Sequence, residues 1–153
     1  MYIETTIPSY LTAWPLSDLI RAGHQKITKD WWDQRRPEFA LYISQFVLDE
    51  VSAGDVMAAA TRLGALEGLP LLPVTSQTEA LAASLIHDLN LPLKAALDAA
   101  HISIAACSNM DFLLTWNCRH INNAELSPQI RRTCRSLGLE SPVICTPEEL
   151  MGI

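Results

Sequence analysis

Two kinds of apolar segment alternate along this chain, and that alternation limits its fold more than any other sequence feature. The clearest pair begins at Leu97, where an Ala-rich helical segment is followed by the short apolar run 112–115. Strands that alternate with helices form parallel sheets with right-handed crossovers, and helices then cover both faces of the sheet. We therefore predict an α/β fold, a three-layer α/β/α sandwich around a central, mostly parallel sheet of about five short strands.

Runs rich in apolar and β-branched residues mark the predicted strands, which cover residues 2–6, 39–43, 69–74, 112–115 and 142–145. Pro8 is expected to end the first of these, because proline cannot donate to a strand ladder. Helices are predicted between the strands, with Ser17, Ser44 and Asp55 as N-caps. A capping box formed by Thr75 or Ser76 with Glu79 is expected to open another helix.

Length and composition indicate one packed domain covering residues 1–153. The chain is 49% hydrophobic and only 18% charged, which is typical of a globule with a single core. No apolar run approaches the roughly 20 residues that cross a bilayer, and no basic and apolar leader opens the sequence. The four cysteines form no Cys-x-x-Cys pair. We therefore expect a cytoplasmic protein with reduced thiols that makes no membrane contact.

A net charge of −6 argues against indiscriminate nucleic-acid binding, which depends on Lys and Arg side chains that neutralise phosphates. It does not argue against a nuclease. A site made of carboxylates is itself negative and recruits divalent cations, which then bridge to phosphate.

Polar side chains follow the predicted strands where those strands end. Glu4 lies near the end of the first strand, a helix starts directly after the second, and Asn117 follows the fourth. In a parallel sheet the carboxyl ends of the strands meet at one edge, which is where such domains place their sites. We interpret the stretch 97–123 as half of a metal-binding nuclease centre.

Four motifs in this order carry a resemblance to a known family. They are Tyr2-Ile3-Glu4-Thr5-Thr6, an acid on the helix after the second strand, Asp98-x-x-His101-Ile102-x-x-Ala105, and an apolar strand that ends in Thr115-x-Asn117. Each motif is short, but their order and spacing together are fairly specific. The chain resembles the PIN domain, the fold of VapC-type toxins and other metal-dependent ribonucleases.

The resemblance implies a site that holds Mg²⁺ or Mn²⁺ and activates water for phosphodiester hydrolysis. The four metal and catalytic positions fall on Glu4, Glu50, Asp98 and Asn117, and the hydroxyls that line such a site on Thr5, Thr6 and Thr115. Two of these depart from the family pattern, where the first position is usually Asp and the fourth often Asp. Asn still offers a carbonyl oxygen to a hard cation, but the site has one formal charge fewer.

The resemblance also implies a function and partners. The expected activity is that of a Mg/Mn-dependent endoribonuclease, the toxin of a type II toxin–antitoxin pair. Such toxins usually form homodimers and are silenced by a small antitoxin that inserts a segment into the cleft. The face around Trp14, Trp31 and Trp32 is where we expect such contacts. The alternative is a PIN-like RNA- or protein-binding module with weak or lost catalysis. A flavodoxin-like phosphate-binding domain is less favoured, because no Gly-rich loop follows a strand.

Each of these side chains also has a purely structural explanation. Glu50 can equally be a solvated helix acid, and Asp98 can stabilise the start of its helix through the helix dipole. Arg119 is a candidate phosphate contact or an ordinary surface charge, and His120 can touch substrate or only support its loop. His101 is expected to be a packed or hydrogen-bonded helix residue.

The paired tryptophans Trp31 and Trp32 are open to two explanations. They could stack bases of single-stranded nucleic acid. We favour the other explanation, in which one packs in the core and the other lies at a helix–helix or dimer contact.

Overall fold

Short parallel strands alternate with longer helices in the structure, a computed structural model that describes residues 1–15 and 17–152. Its strands are β1 (Tyr2–Ile3), β2 (Ile43–Ser44), β3 (Leu71–Leu72), β4 (Phe112–Leu114) and β5 (Val143–Cys145). Its α-helices are α1 (Thr6–Thr12), α2 (Leu19–Gln34), α3 (Gln45–Val51), α4 (Val56–Leu66), α5 (Ser76–Asp88), α6 (Ala96–Cys107) and α7 (Ser127–Ser136). Single 3-10 turns cover Arg36–Glu38, Leu93–Ala95 and Glu148–Leu150. The predicted mixed α/β class is confirmed.

The strands pair in parallel, in the order β1-β4-β5 for a three-stranded sheet and β2-β3 for a separate pair. Tyr2 lies opposite Leu113, and Leu113 opposite Ile144. An isolated parallel bridge joins Tyr2 to Tyr42, with the amide of Ile3 donating to the carbonyl of Tyr42 at 2.9 Å. The prediction of parallel pairing is therefore confirmed, whereas one continuous sheet of about five strands is not seen in the described residues.

The sheet is buried under helices whose apolar side chains form one core with it. Helix α6 packs against α5 and β4, and its residues Ile102, Ile104 and Ala105 are fully buried. A helix that is apolar around most of its circumference belongs inside a domain. None of the helices within the described ranges is long and apolar enough to cross a membrane.

The tryptophans take different positions. Trp31 is fully buried and packs against Trp32 and Phe39, as expected for a core residue. It therefore cannot belong to a surface that contacts a partner, and our placement of it on such a face is wrong. Trp14 is 87% exposed and remains available there.

Several helix starts match the sequence prediction. Helix α3 begins directly after Ser44, and Asp55 caps α4 by accepting from the amide of Ala58 at 2.9 Å. Gly68 follows α4 with φ of +79°, in the left-handed region that glycine adopts at helix ends.

The cysteines are free thiols, of which Cys134 and Cys145 are buried.

Other starts were predicted wrongly. The first strand ends before Thr6, because α1 begins there and contains Pro8. The first turn of a helix has no intrahelical partners for its amides, so proline is tolerated there rather than breaking the element. Asp18, not Ser17, caps α2. In the capping box of α5 the partner of Thr75 is Thr78 and not Glu79.

Candidate active site

Three carboxylates from separate elements line one open cleft with a volume of about 500 Å³. Glu4 follows β1, Glu50 lies on α3, and Asp98 lies in the first turn of α6. The remaining lining residues are Thr5, Thr6, Ser9, Tyr10, Ala13, Arg21 and Asn117. The fold therefore brings together all four residues predicted as ligands. Of the predicted substrate contacts, neither Arg119 nor His120 is among the described residues that line the cleft.

Glu4 is held by hydroxyl groups at the point where the chain turns from β1 into α1. Its Oε2 accepts from the amide of Thr6 at 3.1 Å, the hydroxyl of Thr6 at 2.6 Å and the hydroxyl of Thr115 at 2.8 Å. The side chain is only 4% exposed. In the described part of the chain its other oxygen, Oε1, has no hydrogen-bond partner. Thr115, predicted to line the site, instead lies buried behind Glu4 and orients it.

Glu50 is also oriented through one oxygen. Its Oε2 accepts from the hydroxyl of Thr5 at 2.5 Å and from Nε2 of His101 at 2.8 Å. Burial by itself raises the pKa of Glu50, but the hydrogen bonds from His101 and Thr5 outweigh it, so that the pKa is lowered. Glu50 is therefore an ionised carboxylate tied to the domain interior, unlike a solvated helix acid.

A buried chain of hydrogen bonds continues from His101 into the core. Nδ1 of His101 lies 2.7 Å from the hydroxyl of Tyr2, which lies 2.7 Å from the hydroxyl of Ser44. A carboxylate only accepts, so Nε2 of His101 carries a proton, and a neutral ring then accepts at Nδ1 from Tyr2. Burial raises the pKa of Tyr2, which keeps its hydroxyl protonated. The prediction of a hydrogen-bonded helix histidine is confirmed, but its link to Glu50 was not foreseen.

Asp98 is bound by two residues of the loop after β4. Its Oδ1 accepts from Nδ2 of Asn117 at 2.8 Å, and its Oδ2 lies 2.8 Å from Nδ1 of His120. His120 therefore acts on a site residue, although it does not itself line the cleft. Arg119 is exposed, and its backbone amide is the part that bonds to Asn117.

The orientation of the Asn117 amide follows from its neighbours. Its Oδ1 accepts from the backbone amides of Arg119 at 3.2 Å and His120 at 3.1 Å. A flipped amide would point its NH₂ group at these donors and its oxygen at the Asp98 carboxylate, which is unfavourable on both sides. The carbonyl oxygen expected to bind a cation is thus engaged by the loop.

The residues of this cleft are suited to hold a hard divalent cation to which the protein supplies only a few ligands. Oε1 of Glu4 and Oε1 of Glu50 are both without hydrogen-bond partners within residues 1–15 and 17–152. Over the same residues, no three His, Cys, Asp or Glu side chains are gathered closely enough to form a metal site. Mg²⁺ usually keeps several waters and binds through one or two carboxylates, so a closed cage is not required.

Comparison of this chain with models of protein families, with curated proteins and with solved structures gives no match.

Proposed function

We propose that this chain is a PIN-like domain acting as a Mg²⁺- or Mn²⁺-dependent endoribonuclease. The observation that carries the proposal is the meeting of Glu4, Glu50 and Asp98 in one cleft, from positions far apart in the sequence. A cleft lined by three carboxylates is strongly negative and attracts divalent cations, and Mg²⁺ binds through as few as one or two carboxylates.

The finer architecture that we propose is a three-layer sandwich whose strands act as one parallel sheet in the order β3-β2-β1-β4-β5. The bridge between Tyr2 and Tyr42 supports it, since the residues that precede β2 pair there with β1. A second bond runs from the amide of Tyr42 to the carbonyl of Met1 at 2.9 Å. This order would place the ends of β1 and β4, which lead to Glu4 and Asn117, at the middle of the sheet edge.

In this proposal Glu4 and Glu50 each present one free oxygen to the cation, and Thr115 and His101 hold them in place. When bound, Mg²⁺ or Mn²⁺ would polarise the scissile phosphate and activate a water for in-line attack. Asn117 and His120 orient Asp98 through its two oxygens. We therefore assign Asn117 as a positioning residue for Asp98 rather than as a direct ligand.

We also propose that the chain is a toxin controlled by a small antitoxin, and that it works as a homodimer. Two exposed apolar side chains near the cleft, Trp14 and Met57, support an antitoxin contact. Trp14 and Met57 line a neighbouring depression that shares Ser9 and Ala13 with the cleft. An apolar segment bound there would therefore reach the carboxylates.

Cleavage of RNA by the purified chain tests the proposal. We expect cleavage of total cellular RNA with Mg²⁺ or Mn²⁺, none with a chelator, and a loss of about a hundredfold in Asp98→Asn. Asp49→Asn, which removes an exposed acid of α3 that does not line the cleft, is the matched control and should cleave like the parent. Undiminished cleavage by Asp98→Asn would contradict the role of Asp98.

A second candidate function is a PIN-like RNA- or protein-binding module with weak or lost catalysis. It is favoured by one observation, the engagement of the Asn117 oxygen by the amides of Arg119 and His120. With that oxygen engaged, the cation would have fewer ligands than in a site with four carboxylates. Mn²⁺ that binds without supporting RNA cleavage would indicate this function.

A further inference from the structure

Arg21 lines the cleft of the candidate site. Of the described residues that line the cleft, it is the positively charged one, and the other charged residues there are Glu4, Glu50 and Asp98. Arg21 is an exposed residue in the first turn of α2.

The backbone amide of Arg21 is held, whereas its guanidinium has no hydrogen bond or ion pair among residues 1–15 and 17–152. Its amide donates to Oδ1 of the N-cap residue Asp18 at 2.8 Å, which ties this turn in place. No ion pair of Arg21 occurs within the described ranges, although three carboxylates line the same cleft. Arg35, by contrast, pairs with Glu38 and donates to the carbonyl of Leu150.

A strand of RNA entering this cleft meets an electrostatic difficulty. Three carboxylates repel its phosphates, and a divalent cation offsets only part of that charge. A protein of net charge −6 offers little background attraction to compensate. A guanidinium on the wall supplies planar, paired donors that match a phosphate, and it keeps its charge at every physiological pH.

We propose that Arg21 binds a backbone phosphate of the RNA strand next to the scissile one and so sets the path of the substrate through the cleft. The inference rests on the proposed ribonuclease function. It differs from the contact expected from the sequence, because both arginines are exposed but only Arg21, and not Arg119, is among the described residues that line the cleft.

The experiment compares four variants, Arg21→Ala, Arg21→Lys, Arg119→Ala and Arg131→Ala. Arg131 is the matched control, an exposed arginine on α7 that lines none of the cleft. Cleavage of a random-sequence single-stranded RNA is followed with Mn²⁺, and kcat and KM are measured separately. Binding of the same RNA is measured with Ca²⁺ in place of Mn²⁺ over a series of salt concentrations.

We expect Arg21→Ala to raise KM about tenfold at low salt while kcat changes little, since a charged hydrogen bond to substrate is lost. Arg21→Lys should recover part of the affinity, because it keeps the charge but not the paired donors. The slope of log affinity against log salt should fall in magnitude by about 0.7 in Arg21→Ala, the value for one phosphate contact with a single strand. A purely structural role of Arg21 would leave that slope unchanged.

The remaining outcomes overturn the inference in distinguishable ways. If the parent chain cleaves RNA and Arg21→Ala behaves like Arg131→Ala, the inference fails and the ribonuclease function stands. If Arg119→Ala loses the salt-dependent contact instead, the phosphate is bound by Arg119. If the parent chain cleaves no RNA with any divalent cation, the proposed function fails, and the inference fails with it.

Discussion

Nε2 of His101 lies 2.8 Å from Oε2 of Glu50, and this pair joins the cleft to the interior of the domain. His101 is 1% exposed, whereas the side chain of Glu50 is 31% exposed. The hydroxyl of Tyr2 and then that of Ser44 complete the chain behind them. The position of Glu50 therefore depends on residues that never reach the cleft.

Tyr2→Phe should show this dependence. Removing the hydroxyl leaves Nδ1 of His101 and the hydroxyl of Ser44 buried without partners, which should lower the free energy of unfolding by about 1–3 kcal/mol. Denaturant unfolding measures the effect. Tyr42→Phe is the matched control, because the Tyr42 hydroxyl has no hydrogen-bond partner among the described residues, and it should stay within about 0.5 kcal/mol of the parent. Equal destabilisation by both substitutions would contradict the hydrogen-bonded chain.

Asn117→Asp should separate the two roles considered for this residue. An added carboxylate in place of Nδ2 would face Oδ1 of Asp98, so we expect the metal-free protein to lose about 2 kcal/mol of stability. Mn²⁺ should then raise the melting temperature more than in the parent, since the added charge favours the cation.

The control for that experiment is Gln77→Glu, which adds the same charge at an exposed position of α5 that does not line the cleft. It should not lower the metal-free stability and should leave the response to Mn²⁺ unchanged. A metal-free Asn117→Asp protein as stable as the parent would show that the bond from Asn117 to Asp98 contributes little.

Alkaline pH should destabilise the fold through Cys134. Burial raises the pKa of this thiol from 9.0 to about 11. A raised pKa in the folded state gives a stabilising contribution that is complete below the unfolded pKa and is lost as pH rises through the folded value. The expected loss approaches about 1.4 kcal/mol per pH unit between these two values.

The measurement compares the parent with Cys134→Ala by denaturant unfolding at pH 8 and pH 11. The stability difference between the two proteins should shrink at the higher pH, because only the parent carries the thiol. A difference that does not change with pH would mean that Cys134 ionises equally in the folded and unfolded chains.

Local signals predicted part of this fold well. Helix α4 follows from Asp55 as its N-cap and Gly68 after its end, both of which act within a few residues. Helix α1 was missed because Pro8 was interpreted as a break, although a proline in a first turn costs no hydrogen bond. The strands are shorter than their apolar runs, since ladder pairing depends on distant partners such as Leu113 for Tyr2.

The candidate site, like the fold, was predictable from the sequence only in part. Glu4 and Asp98 stand at ends of elements that the pattern of apolar runs reveals, so their meeting at one edge was predictable. The hydrogen bond from Asn117 to Asp98 and the one between His101 and Tyr2 join residues more than ten positions apart in the sequence. The spacing of motifs does not encode such side-chain contacts. Arg21 was missed because it lies on a helix wall rather than at a strand end.

Calorimetric titration with Mn²⁺ tests most directly whether Glu4 and Glu50 together hold one cation in the cleft. We predict one Mn²⁺ per chain in the parent and in Asp49→Asn, with affinity at least about tenfold weaker in Glu50→Gln and in Glu4→Gln. Asp49 neighbours Glu50 on α3 but bonds to Gln45 at 2.8 Å on the exposed face, so the comparison isolates the cleft carboxylate. Binding of Mn²⁺ by Glu50→Gln as tightly as by the parent, or no binding by the parent at millimolar Mn²⁺, would contradict the account.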